Sequence, residues 1–570
     1  MSTEYTVAGL LAETLHHIGL TRIYGIIGTS VIDFIDTLYN YRDKIDFVTT
    51  RHEQVAASAA DAQGRVTGKP GVAVVHAGPG FLNAMISLGI AYRDRVPLLL
   101  ISGGVRRRLR KTGAWLEVDQ ESLSRPIAKS YYYLGDPSST PETLVSAVKD
   151  ALTPPKGPVV LEVAEDIWKS KINVPDSYFK RISEEISSIY EEGHGQSQVE
   201  DFVKDVLSLL ETAEKPVILA CGELSMDPRF KQSTLLKLAS KIGAYIVTSG
   251  NGRGACPEDH PRCLGRVGFG GGSLVADRAF ENSDLVIVLG NEFDDITTYA
   301  YTMLPEGDIL VASLDPLVEK RPAYYDYYII DPIIALEKLV DSLESYSLTP
   351  KDKLDELVNE ARKQWNTIIG EALNRSYNHG PNPALFFKEL DRVLPRDRII
   401  AAGQGTHILY TYSYMKIYEP RSFLAATNLG AMSYAFPAAI GAAQASTNRP
   451  VIAVVGDGDF MMTVQDLETV VREKIPVKII VVNDNSYKVL YLRQTIQLGG
   501  RIYETLLGNP DFMKLAEAFG MKGIRVENNN MIASTIEEIL GSDDPLLVEI
   551  PVSPDDLPPL NLEYTLRMSS

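Results

Sequence analysis

Cysteine is scarce: Cys221, Cys256 and Cys263 are the 3 in 570 residues, too few for a disulfide framework. Cys256, His260 and Cys263 crowd together in ACPEDHPRC. With no fourth ligand nearby and prolines among them, they read as a loop rather than a metal site. Positive charge is in deficit as well. Lys and Arg number 56 against 74 Asp and Glu, a net charge of −18, which argues against nucleic acid and anionic membrane as partners. No apolar stretch approaches the ~18 residues needed to span a bilayer. The first residues, MSTEYTVAGLLAETL, are acidic where a secretory signal needs a basic start. Low-complexity tracts and short tandem repeats are absent. The expectation is a soluble, cytoplasmic protein.

What is present is a repeated rhythm. A chain of 570 residues suits about three domains at roughly 100–200 residues each. Short apolar runs rich in Val and Ile, bounded by turn residues, read as buried strands. They come in three blocks: GVAVVHAG (71–78), VPLLLISGG (96–104) and PVVLEVA (158–164); KPVILACG (215–222), DLVIVLG (284–290) and DILVASLD (308–315); RIIAAGQG (398–405), PVIAVVGDG (450–458), VKIIVVND (477–484) and PLLVEIPV (545–552). Near-continuous apolar strands separated by helical patterns predict an α/β protein of three domains, each a mostly parallel sheet covered by helices. Domains are expected over 1–170, 199–346 and 381–570, with charged connectors at 171–198 and 347–380. The first and third blocks share a rhythm compatible with an old duplication.

Chemistry concentrates where strands end. In GDGDF (456–460) and VVND (481–484), Asp457 and Asp484 each follow an apolar run. Two oxygen ligands at neighbouring strand ends suit one divalent cation, and the glycines beside Asp457 let backbone amides approach a phosphate. The alternative is a plain strand–loop with Asp as a turn or cap residue. Glu53 begins an Ala-rich helical pattern, where a carboxylate is ordinarily a cap or dipole partner. The turn GPG (78–80) follows a strand, where α/β sheets place ligands.

Glu53, the GPG turn with Asn83, NLGAMSYAFPAAIGA (428–442) and GDGDF…ND, in this order over nearly the whole chain, resemble the thiamine-diphosphate-dependent enzymes. The nearest branch is that of acetolactate synthases, pyruvate oxidases and 2-hydroxyacyl-CoA lyases. The resemblance implies a pyrimidine-binding first domain, a Rossmann-like central domain and a diphosphate-binding third domain. It implies that Glu53 hydrogen-bonds the cofactor's aminopyrimidine and promotes its imino form. Pro79 and Asn83 would sit near the pyrimidine. The Gly430 carbonyl and the Met432 thioether would enforce a bent cofactor, although Met432 could equally be core packing. Asp457, Asp484 and the carbonyl of Ser486 would hold Mg2+. Gly405, Thr406, His407, Gly456, Gly458 and Asp459 would surround the diphosphate, with His407 open to a packing role. The resemblance also implies a homodimer or tetramer with active sites between subunits.

The implied reaction is decarboxylation of a 2-oxoacid, pyruvate first, with transfer of the resulting enamine to an acceptor, as in acetolactate formation. Two rivals remain. GIIGTSVID (25–33), with Ser30, and PGFLN (79–83) look closer to oxalyl-CoA decarboxylase and 2-hydroxyacyl-CoA lyase, which take a CoA thioester. A non-catalytic paralogue that kept the fold is the other, and retention of Glu53 argues against it. Several positions depart from the family pattern. Asp484 stands for the usual Asn and Asp459 for a neutral residue, an excess of negative charge that predicts a strong metal requirement weakening at low pH. Leu116 replaces a Gln whose amide helps handle the reacting oxygen. Lys488 replaces a frequent Gly. Val489 would face the reacting carbon. Arg493 is either a bidentate partner for a substrate carboxylate or a solvated surface residue. Arg106, Arg107, Arg108, Arg110 and Lys111 form a solvated basic face or a funnel for an anionic substrate. Glu292 stands where flavin-binding members have Arg, which counts against tightly bound FAD while leaving FAD or ADP open in the central domain.

Overall fold

A computed structural model describes residues 2–191, 196–345, 353–377, 380–446, 448–561 and 564. The chain divides into two compact units. The first comprises Met1–Glu192 together with Asn428–Thr447 and Thr463–Ile475; the second comprises Gly193–Thr427, Asn448–Met462 and Pro476–Ser570.

The first unit is built on a parallel six-stranded sheet in the spatial order Asp46–Thr49, Arg22–Gly25, Gly71–Val75, Leu98–Gly104, Pro158–Ala164, Ser130–Leu134. Its central strands are buried along their whole length, as strands covered on both faces must be. The stretch read as a connector from 171 carries structure of its own. Lys171–Pro175 pairs antiparallel with Ser2–Thr6, and the helix Tyr178–Glu191 sends Tyr178, Ile182 and Ile186 into this unit's core. The spacing of those three side chains, four residues each, keeps them on one helix face.

The excursion 428–447 joins this unit through close helix packing. Its helix Ala435–Ala445 (AFPAAIGAAQA) lies against Glu53–Thr67 (EQVAASAADAQGRVT). Small side chains let the backbones approach: a Cβ on Gly441 would fall 2.0 Å from the Ala59 carbonyl oxygen. A larger residue there would push the helices apart.

The second unit holds two further six-stranded parallel sheets. The central one runs Cys263–Arg266, Tyr245–Thr248, Pro216–Ala220, Leu285–Leu289, Asp308–Ser313, Asp326–Ile329, the 3-2-1-4-5-6 order of doubly wound nucleotide-binding folds. The other runs Phe423–Leu424, Ile399–Ala402, Val451–Gly456, Val477–Asn483, Leu546–Pro551, Lys522–Arg525. Numbered within its own domain, its order is 2-1-3-4-6-5, the same as in the first unit's sheet. Every apolar run read as a strand is one. In the 347–380 region, Asp355–Leu373 is a helix, while 346–352 and 378–379 lie outside the described residues.

One expectation needs correcting. Cys256 and Cys263 are joined by a disulfide, with Cα atoms 6.2 Å apart. The intervening loop doubles back, the His260 amide donating to the Pro257 carbonyl and the Cys263 amide to that of His260. That brings the two Cα atoms within bridging reach. Cys221 is buried and free.

Candidate active site

Ligands of parallel sheets collect beyond the strand ends, where the strand order reverses. In the first unit that point lies between Arg22–Gly25 and Gly71–Val75. Gly71–Val75 delivers His76, and Pro79 opens the helix Pro79–Arg93. Gly78 adopts φ 64°, and a Cβ on it would lie 2.5 Å from the Leu116 carbonyl oxygen, so only glycine fits. Leu116 itself is held at φ 70°, a left-handed conformation costly for a side chain with a Cβ.

Glu53 is the first residue of Glu53–Thr67 and is buried. The helix is capped by His52, whose Nδ1 accepts the Gln54 amide at 3.2 Å. The capping role is thus taken by the preceding residue, and the Glu53 carboxylate is turned to another partner. Its Oε2 accepts the Asn83 amide at 2.9 Å. A Cβ on Gly80 would lie 3.1 Å from His76 Cβ and 3.2 Å from Glu53 Oε1, so Glu53, Asn83 and His76 surround the GPG turn. Ser30 is buried beside them, its Oγ 2.7 Å from His76 Nδ1. Gly28 makes room for that imidazole: a Cβ there would stand 2.4 Å from the ring. Burial lowers the His76 pKa, and the negative charges of Glu53 and Glu165 pull the other way.

The GAM segment is tied down at both ends in the same unit. The Gln54 side-chain amide donates to Ser433 Oγ, and the Tyr434 hydroxyl to Asp61. Asp61 pairs with buried Arg65 at 2.8 Å, Arg65 with Asp94 at 2.8 Å, and Asp94 accepts the Asn428 amide at 3.2 Å. Between these anchors Gly430 is exposed at φ 67° and Met432 is half-buried.

The second unit repeats the geometry between Ile399–Ala402 and Val451–Gly456, with the loop 403–407 and the start of the helix Asp457–Met461 at the reversal. There the His407 ring is walled by glycine. A Cβ on Gly403, Gly405 or Gly456 would come within 2.8, 2.7 or 2.7 Å of it. Buried His407 Nε2 has no hydrogen-bond partner among the described residues, and Asp459 Oδ2 lies 3.6 Å away. Thr406 precedes it, half-buried. Gly458 is closed in by Tyr487, 2.8 Å from where its Cβ would be.

Asp457 opens the short helix Asp457–Met461, and Asp484 follows the neighbouring parallel strand. Asn509 donates to Asp457 Oδ2 at 2.6 Å and to Asn483 Oδ1 at 3.0 Å. Ser486 Oγ donates to Asp484 Oδ1 at 2.5 Å. Lys488 is buried, with Nζ 3.8 Å from Asp484 Oδ2 and donating to the Ser553 carbonyl at 2.9 Å. Burial pushes the Asp457 carboxyl up, and that of Asp484 to about 6, Lys488 opposing the rise and Asp457 adding to it. Among the described residues, no group of three or more His, Cys, Asp or Glu is placed to hold a metal. Val489 and Arg493 lie exposed on the helix Lys488–Ile496.

The basic run is partly spoken for: Arg106 pairs with Glu165 at 3.2 Å, Arg107 with Asp166 at 2.9 Å, and Arg110 lies over the Tyr133 ring at 4.0 Å. Arg110, Lys111, Leu116, Gln120 and Glu162 line a cavity of ≈ 380 Å³. In the central domain, the reversal point between Pro216–Ala220 and Leu285–Leu289 is filled by Glu292. It is buried, accepting the Gly222 amide at 2.8 Å, the Asn251 amide at 2.7 Å and the Ser249 hydroxyl.

The candidates therefore gather into two clusters. Ser30, Glu53, Pro79, Asn83, Leu116, Gly430 and Met432 belong to the first unit; Gly405, Thr406, His407, Gly456, Asp457, Gly458, Asp459, Asp484, Ser486, Val489 and Arg493 to the second. His76 and Asn509 were not anticipated. A histidine at a strand's end, two residues before GPG, was the available sign for His76; Asn509 lies too far along the chain to give one.

Comparison with known proteins covers all three domains. Residues 5–123, 203–330 and 403–550 match the models described as the N-terminal TPP binding domain, the central domain and the C-terminal TPP binding domain of thiamine pyrophosphate enzymes. The chain is 31% identical over 563 residues to a probable acetolactate synthase large subunit of Methanocaldococcus jannaschii, covering 97% of this chain and 93% of that one. It is 29% identical to an acetolactate synthase of Mycobacterium bovis (97% and 89% covered). A putative thiamine pyrophosphate-containing protein of Bacillus subtilis is also 29% identical (97% and 92% covered).

Proposed function

The chain belongs to the thiamine-diphosphate-dependent enzymes of the acetolactate synthase branch, and we propose that it is a Mg2+-dependent carboligase that decarboxylates pyruvate and joins the remaining two-carbon unit to a second 2-oxoacid. One observation carries the cofactor assignment. The His407 ring, packed against Gly403, Gly405 and Gly456 and with no hydrogen-bond partner for its buried Nε2 among the described residues, lies at the strand reversal from which Asp457 emerges, beside the parallel strand that leads to Asp484. Glycine walls and a spare donor suit phosphate oxygens, and two carboxylates with carbonyl oxygen suit a hard cation that also takes ligands from phosphate.

Asp457, Asp484 and the Ser486 carbonyl would hold Mg2+. Gly405, Thr406, His407, Gly456, Gly458 and Asp459 would line the diphosphate. Pro79, Asn83, Gly430 and Met432 would shape the pyrimidine site, where the Glu53 carboxyl shares a proton with a ring nitrogen. Burial of Glu53 keeps water from competing for that proton. When bound, thiamine diphosphate supplies the electron sink for the pair released on loss of carbon dioxide. Ser30, Leu116, Val489 and Arg493 would contact substrate. Catalysis would need at least a homodimer, with Glu53 of one subunit serving the diphosphate half-site of another.

The test is incubation with thiamine diphosphate, Mg2+ and a panel of 2-oxoacids, oxalyl-CoA and a 2-hydroxyacyl-CoA, reading carbon dioxide and products together. Acetolactate from pyruvate is expected. Turnover of the CoA thioesters alone would transfer the assignment to the lyase branch, and light scattering showing only monomer in the active enzyme would overturn the dimer.

A further inference from the structure

His76 is a titratable side chain beside Glu53 to which the proposed reaction assigns no task, and its surroundings decide where its proton sits. Three donor–acceptor contacts meet at Ser30. The Ala77 amide donates to Ser30 Oγ at 3.0 Å, Ser30 Oγ lies 2.7 Å from His76 Nδ1, and the Ser30 amide points at the same Nδ1 at 3.3 Å. A backbone N–H can only donate, so Nδ1 must offer its lone pair to the Ser30 amide. The hydroxyl, already accepting from Ala77, then gives its own hydrogen to Nδ1. Both contacts require Nδ1 unprotonated, which leaves the single imidazole proton on Nε2. The arrangement is rigid. The Trp168 indole donates to the Ser30 carbonyl at 2.9 Å, and a Cβ on Gly103 would stand 2.0 Å from Ser30 Oγ. A positively charged ring would need a hydrogen on Nδ1 facing two donors, so the site favours the neutral form.

We propose that His76 is a catalytic hydrogen-bond donor whose Nε2–H binds the oxygen of the reacting carbonyl of the 2-oxoacid, with Ser30 as the positioning residue that sets its tautomer; this rests on the reading of the site given above. His76 is half-buried, and its hydrogen bonds, both with Ser30, fall on Nδ1, so the Nε2 donor is available. It stands next to Glu53 across the GPG turn. A neutral donor offers little to the standing charge of a carboxylate. It is suited to an oxygen on which negative charge develops as its carbon is attacked, where a preorganised N–H needs no reorganisation. The position also answers a loss elsewhere: Leu116, apolar where an amide would be expected, has its carbonyl packed on Gly78, two residues beyond His76.

The test uses the full-length enzyme loaded with thiamine diphosphate and Mg2+, with two readouts on His76→Ala and His76→Gln. Exchange of the cofactor's acidic carbon-bound proton for deuterium reports Glu53's task; kcat/KM for pyruvate reports the whole reaction. His76→Ala should keep the exchange rate and lose about 10²–10³ in kcat/KM, the usual consequence of removing one such donor. His76→Gln, whose amide N–H reaches the Nε2 position, should recover part of that loss. His76→Ala turning over within twofold of wild type overturns the proposal. Absence of exchange in the wild type overturns the cofactor reading beneath it. Imidazole nitrogen NMR should show the Nε2–H form in wild type and a tautomer mixture in Ser30→Ala; an unchanged tautomer there removes Ser30 from the proposal.

Discussion

The buried pair Asp484–Lys488 carries the sharpest energetic prediction. Both side chains are under a tenth exposed, and their charges lie 3.8 Å apart. At an effective dielectric of ~20 the Coulombic attraction is about 4 kcal/mol before desolvation is subtracted. Removing one member of such a pair typically costs about 3–5 kcal/mol, because the other charge is left buried. Lys488 therefore compensates the buried Asp484, and under the proposed assignment it would compete with Mg2+ for that carboxylate. Lys488→Met should tighten Mg2+ binding, since both that competition and the ammonium's repulsion of the cation vanish. Asp484→Asn should weaken it. In the double variant the ammonium has no carboxylate to release, so the gain from Lys488→Met should shrink. A coupling of about 2 kcal/mol, roughly thirtyfold in affinity, lies within the range seen for contacting charges. Calorimetric titration of Mg2+ into the four proteins at pH 7.5 with saturating thiamine diphosphate measures it. Additivity within about 0.5 kcal/mol, or weaker Mg2+ binding by Lys488→Met, would refute the reasoning.

Three other outcomes follow from particular contacts. Glu53→Gln should lower kcat by about 10²–10⁴, the usual contribution of a positioned acid–base group, with cofactor affinity far less affected; undiminished turnover would sink the role given to Glu53. Asp466 accepts the Arg51 amide and the Thr469 hydroxyl at Oδ1, while its buried Oδ2 has no partner among the described residues, and burial raises its pKa from 3.8 to about 6. The folded state thus holds that proton more tightly than the unfolded chain. The resulting stabilisation is complete below the unfolded value and lost as pH rises through about 6. Melting temperatures at pH 5 and pH 7 should differ more in wild type than in Asp466→Asn. Glu292→Ala should lose about 1–3 kcal/mol, because buried donors on Gly222, Ser249 and Asn251 lose their acceptor; the purified wild type should show no flavin absorbance.

The sequence made the centres of the sheets legible and left their edges dark, for a physical reason. Strands such as VIAVV are covered on both faces and read as apolar runs. Edge strands such as Asp46–Thr49, Asp326–Ile329 and Lys522–Arg525 are short, carry charges and are only partly buried, so nothing separates them from loops. The charged stretch from 171 reads as a connector because its helix is charged on one face; its buried face shows only at four-residue spacing. Glu53, Asp457 and Asp484 stood out because strand ends and glycine turns surround them. His76 did not, because its significance lies in Ser30 and Gly28, more than forty positions upstream, where the chain folds back around the ring. The Cys256–Cys263 bridge was equally hidden: spacing says nothing about which way two Cβ atoms point.

The strand orders explain why the site divides as it does. The sheets of the first and third domains share the order 2-1-3-4-6-5, and each reverses between its first and third strands. Each places a turn rich in glycine at that reversal, GPG in one and GDG in the other, where backbone can approach a ligand closely. The two crevices then differ in what fills them. One holds a carboxylate, an amide and an imidazole, groups able to exchange hydrogen bonds with a heterocycle. The other holds two acidic strand ends and a glycine-walled histidine, groups that suit a cation and phosphate. The central domain reverses too, but its crevice is satisfied from within by Glu292. A carboxylate already accepting from Gly222, Ser249 and Asn251 occupies those donors, so the same topology here is filled by the domain's own side chain.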